Sequence, residues 1–385
     1  MSVPYFDEVT YTKFFHVFIF DHQYKVITVH PLLWGLLTWP FIAIFGEGMV
    51  PWRIISLFSG ILSILVVYAL AQRITRNNLV AIFAVFFFAF DCLSLTQARV
   101  AMMNSLCLFW MLLSLYIFLD YWINQKSPKT SVLLGTGICL GLALSTKLMA
   151  LSMVLMIYGL FIQRLIQEKD GKLALLGKGL LFLFVLPVLI YFAVYAWMFS
   201  LPGCTWHHIW FIQQFNFNYN LKVAASLAHP YSSFWWEWPL LLRPMWFYFA
   251  HQNGTVNGIF CIGNPIIFWM VPLMTIYLAW YWACQGRLAS IGIILLGFLS
   301  QWLFYAPSLR LAFFYYFYSS LPFVALGLAW ICAQMWQSGN KTGKLLVTLY
   351  MIAVLGMFIY WYPLLTGFSI SEAYYRNHIW FSSWI

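Results

Sequence analysis

Charged side chains are scarce in this sequence. Only 8% of its 385 residues are Asp, Glu, Lys or Arg, and 63% are hydrophobic, whereas a soluble domain has roughly 25% and 45–50%. These proportions exclude a soluble globular enzyme, a disordered chain and a nucleic-acid-binding protein with a continuous basic surface. A folded chain of this size cannot bury so much apolar surface, so the excess must face lipid. The aromatic content of 21%, with 21 Trp, suits a multi-span membrane protein.

Cysteine and acidic residues are too few and too scattered to build a metal site. The seven cysteines include no C-x-x-C pair, and most lie in apolar runs, where a thiol behaves as a small hydrophobic group. The acidic residues include one adjacent pair, Asp7-Glu8, but no larger cluster of oxygen ligands. The sequence therefore predicts no metal site and no required cofactor.

Long apolar runs are abundant, and a helix that crosses a bilayer needs about 20 mostly apolar residues. Such runs predict ten spanning helices, near residues 53–72, 79–95, 99–122, 131–147, 149–166, 176–199, 266–284, 289–306, 312–334 and 344–362. The shorter run 31–45 is interrupted by Pro40 and is predicted to form a helix in the membrane interface. The expected fold is an all-α multi-span bundle with interfacial helices in its outer loops.

Lys and Arg residues in short loops predict the orientation of these helices. The residues that follow alternate spans, and therefore mark the cytoplasmic side, are Arg73, Arg76, Lys126, Lys129, Arg164, Lys169, Lys172, Lys178, Arg287, Lys341 and Lys344. The His residues and most of the acidic residues then lie on the outer side. The outer loops thus contain the polar and titratable side chains that a catalytic or binding site requires.

The domain prediction is one integral membrane domain over residues 1–385. Residues 1–52 form a first outer loop with the Asp-Glu pair and the interfacial helix, and residues 200–265 form a large outer loop. Residues 266–385 contain the last spans and an outer tail. The chain begins on the outer side without a preceding span or signal sequence, so we expect a first helix to be missing from it.

Four basic residues lie on the outer side near membrane depth, where the orientation rule does not explain them: Arg99, Lys147, Arg243 and Arg310. A charge at this depth is costly unless it is paired. Each one alone could extend to the headgroups of the outer leaflet. Four together, without matching acids in the same segments, favour an anion site. A lipid-linked phosphate or pyrophosphate suits such a site, because its tail stays in the bilayer while its head contacts Arg and Lys.

The pair Asp7-Glu8 is the second candidate constellation. Adjacent side chains point in different directions, which predicts separate roles: one carboxylate accepts a proton from a hydroxyl, and the other orients a loop or the acceptor. The alternative is a solvated acidic pair near a chain terminus. Because the pair lies on the same face as the four cations, we favour a base opposite a phosphate site, the layout for displacing a phosphate leaving group. His30 is either part of a structural turn or an acceptor contact.

The sequence resembles the protein O-mannosyltransferase family, in its bacterial form, over nearly the whole chain. The segments that carry the resemblance are, in order, FDEVTYTKF, VHPLLWGLL, QARVAMMNS, GLALSTKLMAL, SSFWWEWPLLLRPMWFYF and FFYYFYSSLPFVALGLA. Members of this family are multi-span inverting glycosyltransferases of the C superfamily. The resemblance therefore implies a GT-C-like bundle and polyprenyl-phosphate-mannose as the sugar donor.

The resemblance also assigns roles to residues. Asp7 matches the family's proposed catalytic base, and Glu8 matches its acidic neighbour. The positions implied for the donor phosphate are Arg99, Lys147 and Arg243, to which we add Arg310. Contacts with the acceptor or the sugar are predicted for His30, Asn104 and Glu237. Two positions depart from the family: Leu32 replaces the second Pro of a His-Pro-Pro motif, and Asn104 replaces a frequent Asp, which removes a charge near the cations.

The function implied by the resemblance is transfer of mannose to Ser or Thr hydroxyls of exported proteins. We expect it on the extracytoplasmic face of the bacterial cytoplasmic (inner) membrane, coupled to the secretion machinery and without nucleic acid. Two alternatives remain open: a related polyprenyl-phosphate-sugar transferase with a lipid or glycan acceptor, and a non-catalytic transporter of anionic lipids. A transporter predicts charged or broken helices at mid-membrane and internal repeats, which the sequence does not show.

Overall fold

The computed structural model describes residues 4–19, 21, 29–124, 129–219, 229–286, 288–307 and 311–385, and most of its regular structure is helical. The chain forms two compact units. The N-terminal unit comprises residues 2–66 and 100–226, and the C-terminal unit comprises residues 67–99 and 227–385. The predicted multi-span helical fold is confirmed.

In chain order the helices are α1 (Glu8–Ile19), α2 (Leu33–Phe45), α3 (Met49–Thr75), α4 (Asn78–Ala89), α5 (Cys92–Arg99), α6 (Asn104–Asn124), α7 (Thr130–Thr146), α8 (Leu151–Gln167), α9 (Lys172–Gly179), α10 (Leu186–Tyr195), α11 (Trp206–Asn218), α12 (Pro265–Phe268), α13 (Val271–Cys284), α14 (Ala289–Leu303), α15 (Leu321–Gln337), α16 (Lys341–Thr366) and α17 (Glu372–His378). Short 3-10 and π segments extend some of them, so Lys172–Ser200 and Pro265–Cys284 each form one long helical stretch. The strands are β1 (Met245–Gln252), β2 (Thr255–Cys261) and β3 (Ser369–Ser371).

Each of the ten predicted spans contains a helix. Among the described residues, six helices are long and apolar enough to cross a membrane, and the bent pair α4–α5 makes a seventh. The other predicted spans contain the shorter apolar helices α7, α14 and α15. The run 31–45 forms α2, as predicted, and its position in the membrane interface stays a prediction.

Two predicted spans begin later than the sequence indicates. The run 99–122 becomes helical only at Asn104, because residues 100–103 form a fully buried loop. The run 312–334 becomes an α-helix only at Leu321, after a 3-10 segment that covers Phe314–Ser319.

The run 79–95 is not one straight helix, since α4 and α5 meet at an angle of 63°. The break lies at Phe90-Asp91. The fully buried Asp91 carboxylate accepts the backbone N–H of Leu93 at 2.8 Å and that of Asn264 at 2.9 Å. Asp91 therefore caps the N-terminus of α5 and starts a new helix inside an apolar run. In the predicted orientation this break lies towards the outer end of the span.

Helix α7 lies at the centre of the N-terminal unit, packed between α6 and the stretch Lys172–Ser200. The contact with the second neighbour depends on glycine. A Cβ at Gly137 would overlap the carbonyl oxygen of Phe182, and a Cβ at Gly141 would lie 2.8 Å from the Cβ of Ile190. Small residues of this kind allow membrane helices to approach closely. The packing fixes the end of α7, where Lys147 follows.

The C-terminal unit contains a three-stranded antiparallel sheet in the order β1-β2-β3, which the all-α prediction did not include. Strands β1 and β2 form a hairpin whose turn is Asn253-Gly254. Both turn residues have positive φ, 51° and 74°, as a two-residue hairpin of the I′ type requires. Strand β3 follows α16, so the large loop 200–265 and the tail share one sheet.

Candidate functional site

The N-terminus of α1 presents the acidic pair. The backbone carbonyl of Asp7 accepts the N–H groups of Thr10 at 3.0 Å and Tyr11 at 2.9 Å, which makes Asp7 the residue that opens the helix. The residue before it, Phe6, has a φ of 53°. This left-handed conformation is strained for a side chain with a Cβ, and strain of this kind clusters at functional sites. The turn directs two neighbouring carboxylates to different surroundings.

Asp7 is half-buried, and the Tyr11 hydroxyl donates a hydrogen bond to its carboxylate at 3.4 Å. Burial raises the pKa of Asp7, while the nearby charge of Lys147 and the Tyr11 hydrogen bond lower it. Burial is the largest effect, so the pKa lies above its ordinary value. A carboxylate with a raised pKa is a better proton acceptor, which suits a general base.

Lys147 stands at the C-cap of α7 with an extended backbone (φ −159°, ψ 140°). Its ammonium group is buried and donates to the side-chain oxygen of Asn104 at 2.7 Å. A cation is favoured at this end of a helix, where unpaired carbonyls carry partial negative charge. The structure thus brings Asn104, at the start of α6, to Lys147. It also places Lys147 close enough to Asp7 to act on its acidity.

Glu8 has no exposed surface, and protein donors surround its carboxylate. Arg53 donates through Nε at 2.8 Å and Nη2 at 2.7 Å, and the backbone N–H groups of Tyr5 and Ala101 donate at 3.0 and 2.6 Å. These four donors occupy the lone pairs of both carboxylate oxygens and leave little room for a substrate hydroxyl. The geometry favours the orienting role among the two that were predicted for the pair. A catalytic role of Glu8 stays a prediction.

His30 is buried, and its ring lies 5.6 Å from that of Tyr11, measured between centroids. Tyr11 therefore contacts both Asp7 and His30. Of the nine predicted site residues, the N-terminal unit contains Asp7, Glu8, His30, Asn104 and Lys147.

The C-terminal unit contains Arg99, Arg243 and Glu237, each bonded to backbone. Arg99 ends α5 and donates to the carbonyls of Leu365 at 2.6 Å and Thr366 at 3.3 Å, so it caps the C-terminus of α16. Its position at a helix end, rather than at the start of the third span, corrects the sequence interpretation.

Arg243 donates through Nε to the carbonyl of Pro230 at 2.8 Å. Glu237 accepts the N–H of Phe234 and closes the one-turn helix Trp235–Glu237. Roles of Arg99 and Arg243 at the donor phosphate, and of Glu237 at the sugar, stay predictions. Arg310 lies outside the described residues.

Two residues of the site were not singled out in the sequence. Arg53 is a fifth basic residue near the outer end of a span, so the rule that found the other four could have found it. Tyr11 follows Asp7 by four residues, the spacing of neighbours on one helix face. Neither the contact of Arg53 with Glu8 nor that of Tyr11 with His30 could be read from local sequence.

Metal binding was not predicted, and within the described ranges no three His, Cys, Asp or Glu side chains gather in a way that could hold an ion. The absence of a required cofactor stays a prediction.

Comparison with known proteins gives matches over the whole chain. A family model described as dolichyl-phosphate-mannose-protein mannosyltransferase matches residues 5–202. A second model, the C-terminal four TMM region of protein-O-mannosyltransferase, matches residues 205–384.

Individual relatives agree with these models. The polyprenol-phosphate-mannose–protein mannosyltransferase of Mycobacterium tuberculosis is 24% identical over 93% of this chain and 81% of that protein. The enzyme of the same name from Corynebacterium glutamicum is 23% identical, over 89% and 78% of the two chains.

Solved structures with the same fold include the Pmt1-Pmt2 complex of Saccharomyces cerevisiae bound to its sugar donor. It has a TM-score of 0.81 and 13% identity over 96% of this chain and 88% of the yeast chain. ArnT from Cupriavidus metallidurans, bound to undecaprenyl phosphate, has a TM-score of 0.60 and 13% identity over 93% and 71%. Since the two family models match nearly every residue from 5 to 384, this chain belongs to the protein O-mannosyltransferase family.

Proposed function

We propose that this protein transfers mannose from polyprenyl-phosphate-mannose to Ser or Thr hydroxyls of exported proteins. The family membership and the names of the bacterial relatives support this donor and this class of acceptor. The observation in the structure that carries the proposal is the half-buried Asp7 carboxylate within electrostatic range of the buried Lys147 ammonium, which Asn104 holds. This pair can accept a proton and stabilise a developing negative charge at the same place.

Breaking the donor's bond between the anomeric carbon and the phosphate oxygen sends an electron pair to the phosphate. The phosphodiester with one negative charge then becomes a monoester that approaches two. Lys147 stabilises the added charge, and in a partly dehydrated site this interaction is stronger than in water. Arg99, Arg243 and Arg310 are the further candidates for phosphate contacts from the sequence.

The acceptor hydroxyl attacks the anomeric carbon from the face opposite the phosphate, which inverts the configuration. Sugar transfer passes through an oxocarbenium-like state in which bond breaking leads. The hydroxyl therefore becomes acidic only as it attacks, and a carboxylate is a sufficient base. Asp7 accepts the hydroxyl proton while the new carbon–oxygen bond forms. His30 and Asn104, near Tyr11 and Lys147, are the candidates for contacts with the acceptor and the sugar.

The protein is a multi-pass membrane protein, and we assign it to the bacterial cytoplasmic membrane with its active site on the extracytoplasmic face. The distribution of Lys and Arg among the loops supports this orientation. Coupling to the secretion machinery is part of the proposal, since the acceptor hydroxyls must be presented unfolded or during export. No cofactor is required beyond the lipid-linked donor.

The test is a transfer assay with protein reconstituted in vesicles, radiolabelled polyprenyl-phosphate-mannose and a peptide rich in Ser and Thr. The expected result is labelled peptide with an inverted anomeric centre, and none with a peptide in which every Ser and Thr is Ala. Label that appears only in lipid or glycan would support the related sugar transferase instead. Movement of the intact donor across the vesicle membrane without any product would support the transporter. The family match favours neither alternative.

A further inference from the structure

Arg53 has contacts that the proposed chemistry does not use. It lies in the first turn of α3, and its guanidinium makes a two-point contact with the fully buried Glu8 carboxylate, at 2.8 Å from Nε and 2.7 Å from Nη2. A face of the same guanidinium lies over the Tyr5 ring, with its central carbon 4.7 Å from the ring centroid. The Tyr5 backbone N–H also donates to Glu8. Arg53 therefore contacts both Tyr5 and Glu8, the residues that flank Phe6 and Asp7 in the chain.

This turn needs outside support. Phe6 adopts its left-handed conformation directly before Asp7, and such strain persists only where the surroundings enforce it. Three bonds to the Glu8 carboxylate, two from Arg53 and one from the Tyr5 N–H, close the turn around Phe6. Without them the first turn of α1 could relax and rotate the Asp7 side chain.

The start of α3 also fixes the loop that precedes Asn104. The Ala101 N–H donates to Glu8 at 2.6 Å, and one turn after Arg53 the Ser56 hydroxyl donates to the Met102 carbonyl at 2.8 Å. Asn104 follows two residues later and holds Lys147. The start of α3 is therefore connected to both sides of the Asp7–Lys147 pair.

Stability alone is a weak reason for this arrangement. A buried ion pair gains little net folding energy over apolar side chains of similar volume, because both charges lose their hydration. What a planar guanidinium adds is geometry: two parallel bonds to a carboxylate and a flat face for an aromatic ring, neither of which a Lys ammonium reproduces.

We propose that Arg53 is a positioning residue for sugar transfer: through Glu8 it fixes the turn that directs Asp7 and the loop that leads to Asn104. The inference rests on the proposed function. It predicts that Arg53 affects the rate of the chemical step and leaves the affinity for the donor nearly unchanged.

The experiment compares Arg53→Gln, Arg53→Lys and Glu8→Gln with the wild type in the vesicle assay. Arg73→Gln serves as the matched control, because it removes the same charge from the other end of α3. Arg53→Gln is expected to lower kcat about 10- to 100-fold, since a displacement of about 1 Å can cost 10²-fold, with the donor KM changed less than about threefold. The kcat of Arg53→Lys should lie between those of Arg53→Gln and the wild type, and the kcat of Arg73→Gln should stay near the wild-type value.

Two further readouts separate positioning from simple loss of fold. The double variant Arg53→Gln with Glu8→Gln should lose no more activity than the stronger single variant, because both act through one contact. Hydrogen exchange should become faster at the backbone amides of Tyr5 and Ala101 in Arg53→Gln, while α8 keeps its protection.

The inference is overturned if Arg53→Gln keeps the wild-type kcat and the wild-type exchange at both amides. It is also overturned if the donor KM rises while kcat stays the same, since that would make Arg53 a donor-binding residue. If Arg53→Gln does not accumulate, Arg53→Lys decides by the same measurements. A wild-type protein that transfers no mannose refutes the proposed function, whereas the hydrogen exchange of the Tyr5 and Ala101 amides still tests whether Arg53 holds the turn through Glu8.

Discussion

Asp7 combines two opposing influences on its acidity. Burial raises its pKa, and Lys147 and Tyr11 lower it, with burial the stronger. In the proposed role as base, the ionised Asp7 carboxylate takes a proton more readily than an exposed carboxylate does, because its pKa is raised. Activity should fall as the pH drops through the pKa of Asp7, because only the ionised form accepts the hydroxyl proton.

Tyr11→Phe removes one of the two influences that lower this pKa. The low-pH limb of kcat/KM should therefore move to higher pH, by less than about one unit, since a hydrogen bond contributes roughly 1 kcal/mol. The measurement is a pH profile of mannose transfer, with Tyr68→Phe on α3 as the control. A limb that moves to lower pH would show that the Tyr11 hydroxyl does not stabilise the ionised carboxylate.

Asp7→Asn should separate stability from activity. Because the pKa of Asp7 is raised in the folded protein, the folded state binds its proton more tightly than the unfolded chain, and the ionised carboxylate costs folding energy above that pKa. The neutral amide removes this cost, so the melting temperature at neutral pH should be equal or higher. Turnover should fall roughly 10²- to 10⁴-fold, the usual contribution of a general base. Near wild-type transfer by this variant would refute the base assignment.

At the scale of elements, α7 connects helix packing to the site. Its glycines allow contact with the stretch Lys172–Ser200, and its C-cap is Lys147. A change in the packing of α7 against this stretch is expected to shift the Lys147 ammonium relative to Asn104. The position of the Lys147 ammonium in the candidate site therefore depends on the α7 glycines, which have no proposed contact with substrate.

Gly137→Ala tests this dependence. The new Cβ would overlap the carbonyl of Phe182, and overpacking of this kind costs about 1–3 kcal/mol. We expect a lower melting temperature and a lower transfer rate. Gly159→Ala on α8 is the control, because a Cβ there has no neighbour within 4 Å. Equal behaviour of the two variants would mean that the close approach at α7 is not required.

The sequence predicted helices better than it predicted where they break. Apolar runs identify buried or lipid-facing segments, but the capping bond of Asp91 to Asn264 joins residues far apart in the chain and leaves no local signal. The hairpin did have a signal, since Asn253-Gly254 between an aromatic-rich run and a run that contains β-branched residues is typical of a two-residue turn. For the candidate site, residue types pointed to Asp7 and Lys147 and the family resemblance added Asn104; the structure bonds Asn104 to Lys147, and the roles of all three stay predictions. Arg53 could have been selected as a basic residue near the outer end of a span, but its contact with Glu8, 45 residues away, leaves no local signal.

At the scale of the whole molecule, the distribution of charge decides which loops face which compartment. The described cysteines provide reporters for this orientation, since all seven are free. Cys204 follows the stretch Lys172–Ser200 and is partly exposed, and Cys284 ends α13 and is exposed. The Lys and Arg pattern places the first outside and the second in the cytoplasm.

A membrane-impermeant maleimide should label Cys204 in intact cells, and Cys284 only after permeabilisation. Cys204→Ser and Cys284→Ser, each tested alone, identify the labelled site by mass spectrometry of the peptides. The five buried cysteines provide the unlabelled background. Labelling of Cys284 in intact cells, with Cys204 protected, would reverse the predicted orientation and place the acidic pair on the wrong side for exported acceptors.

Strand β2 pairs with β1 on one edge and with β3 on the other, where Val256 aligns with Ile370. The hairpin is complete at Cys261, but its second edge has no partner until Ser371 has been synthesised. At roughly 5–20 residues per second, this interval of about 110 residues lasts about 5–20 s. During biogenesis the sheet is therefore finished only after the final membrane helix has been delivered, and a ribosome that stops early releases a chain with a bare strand edge.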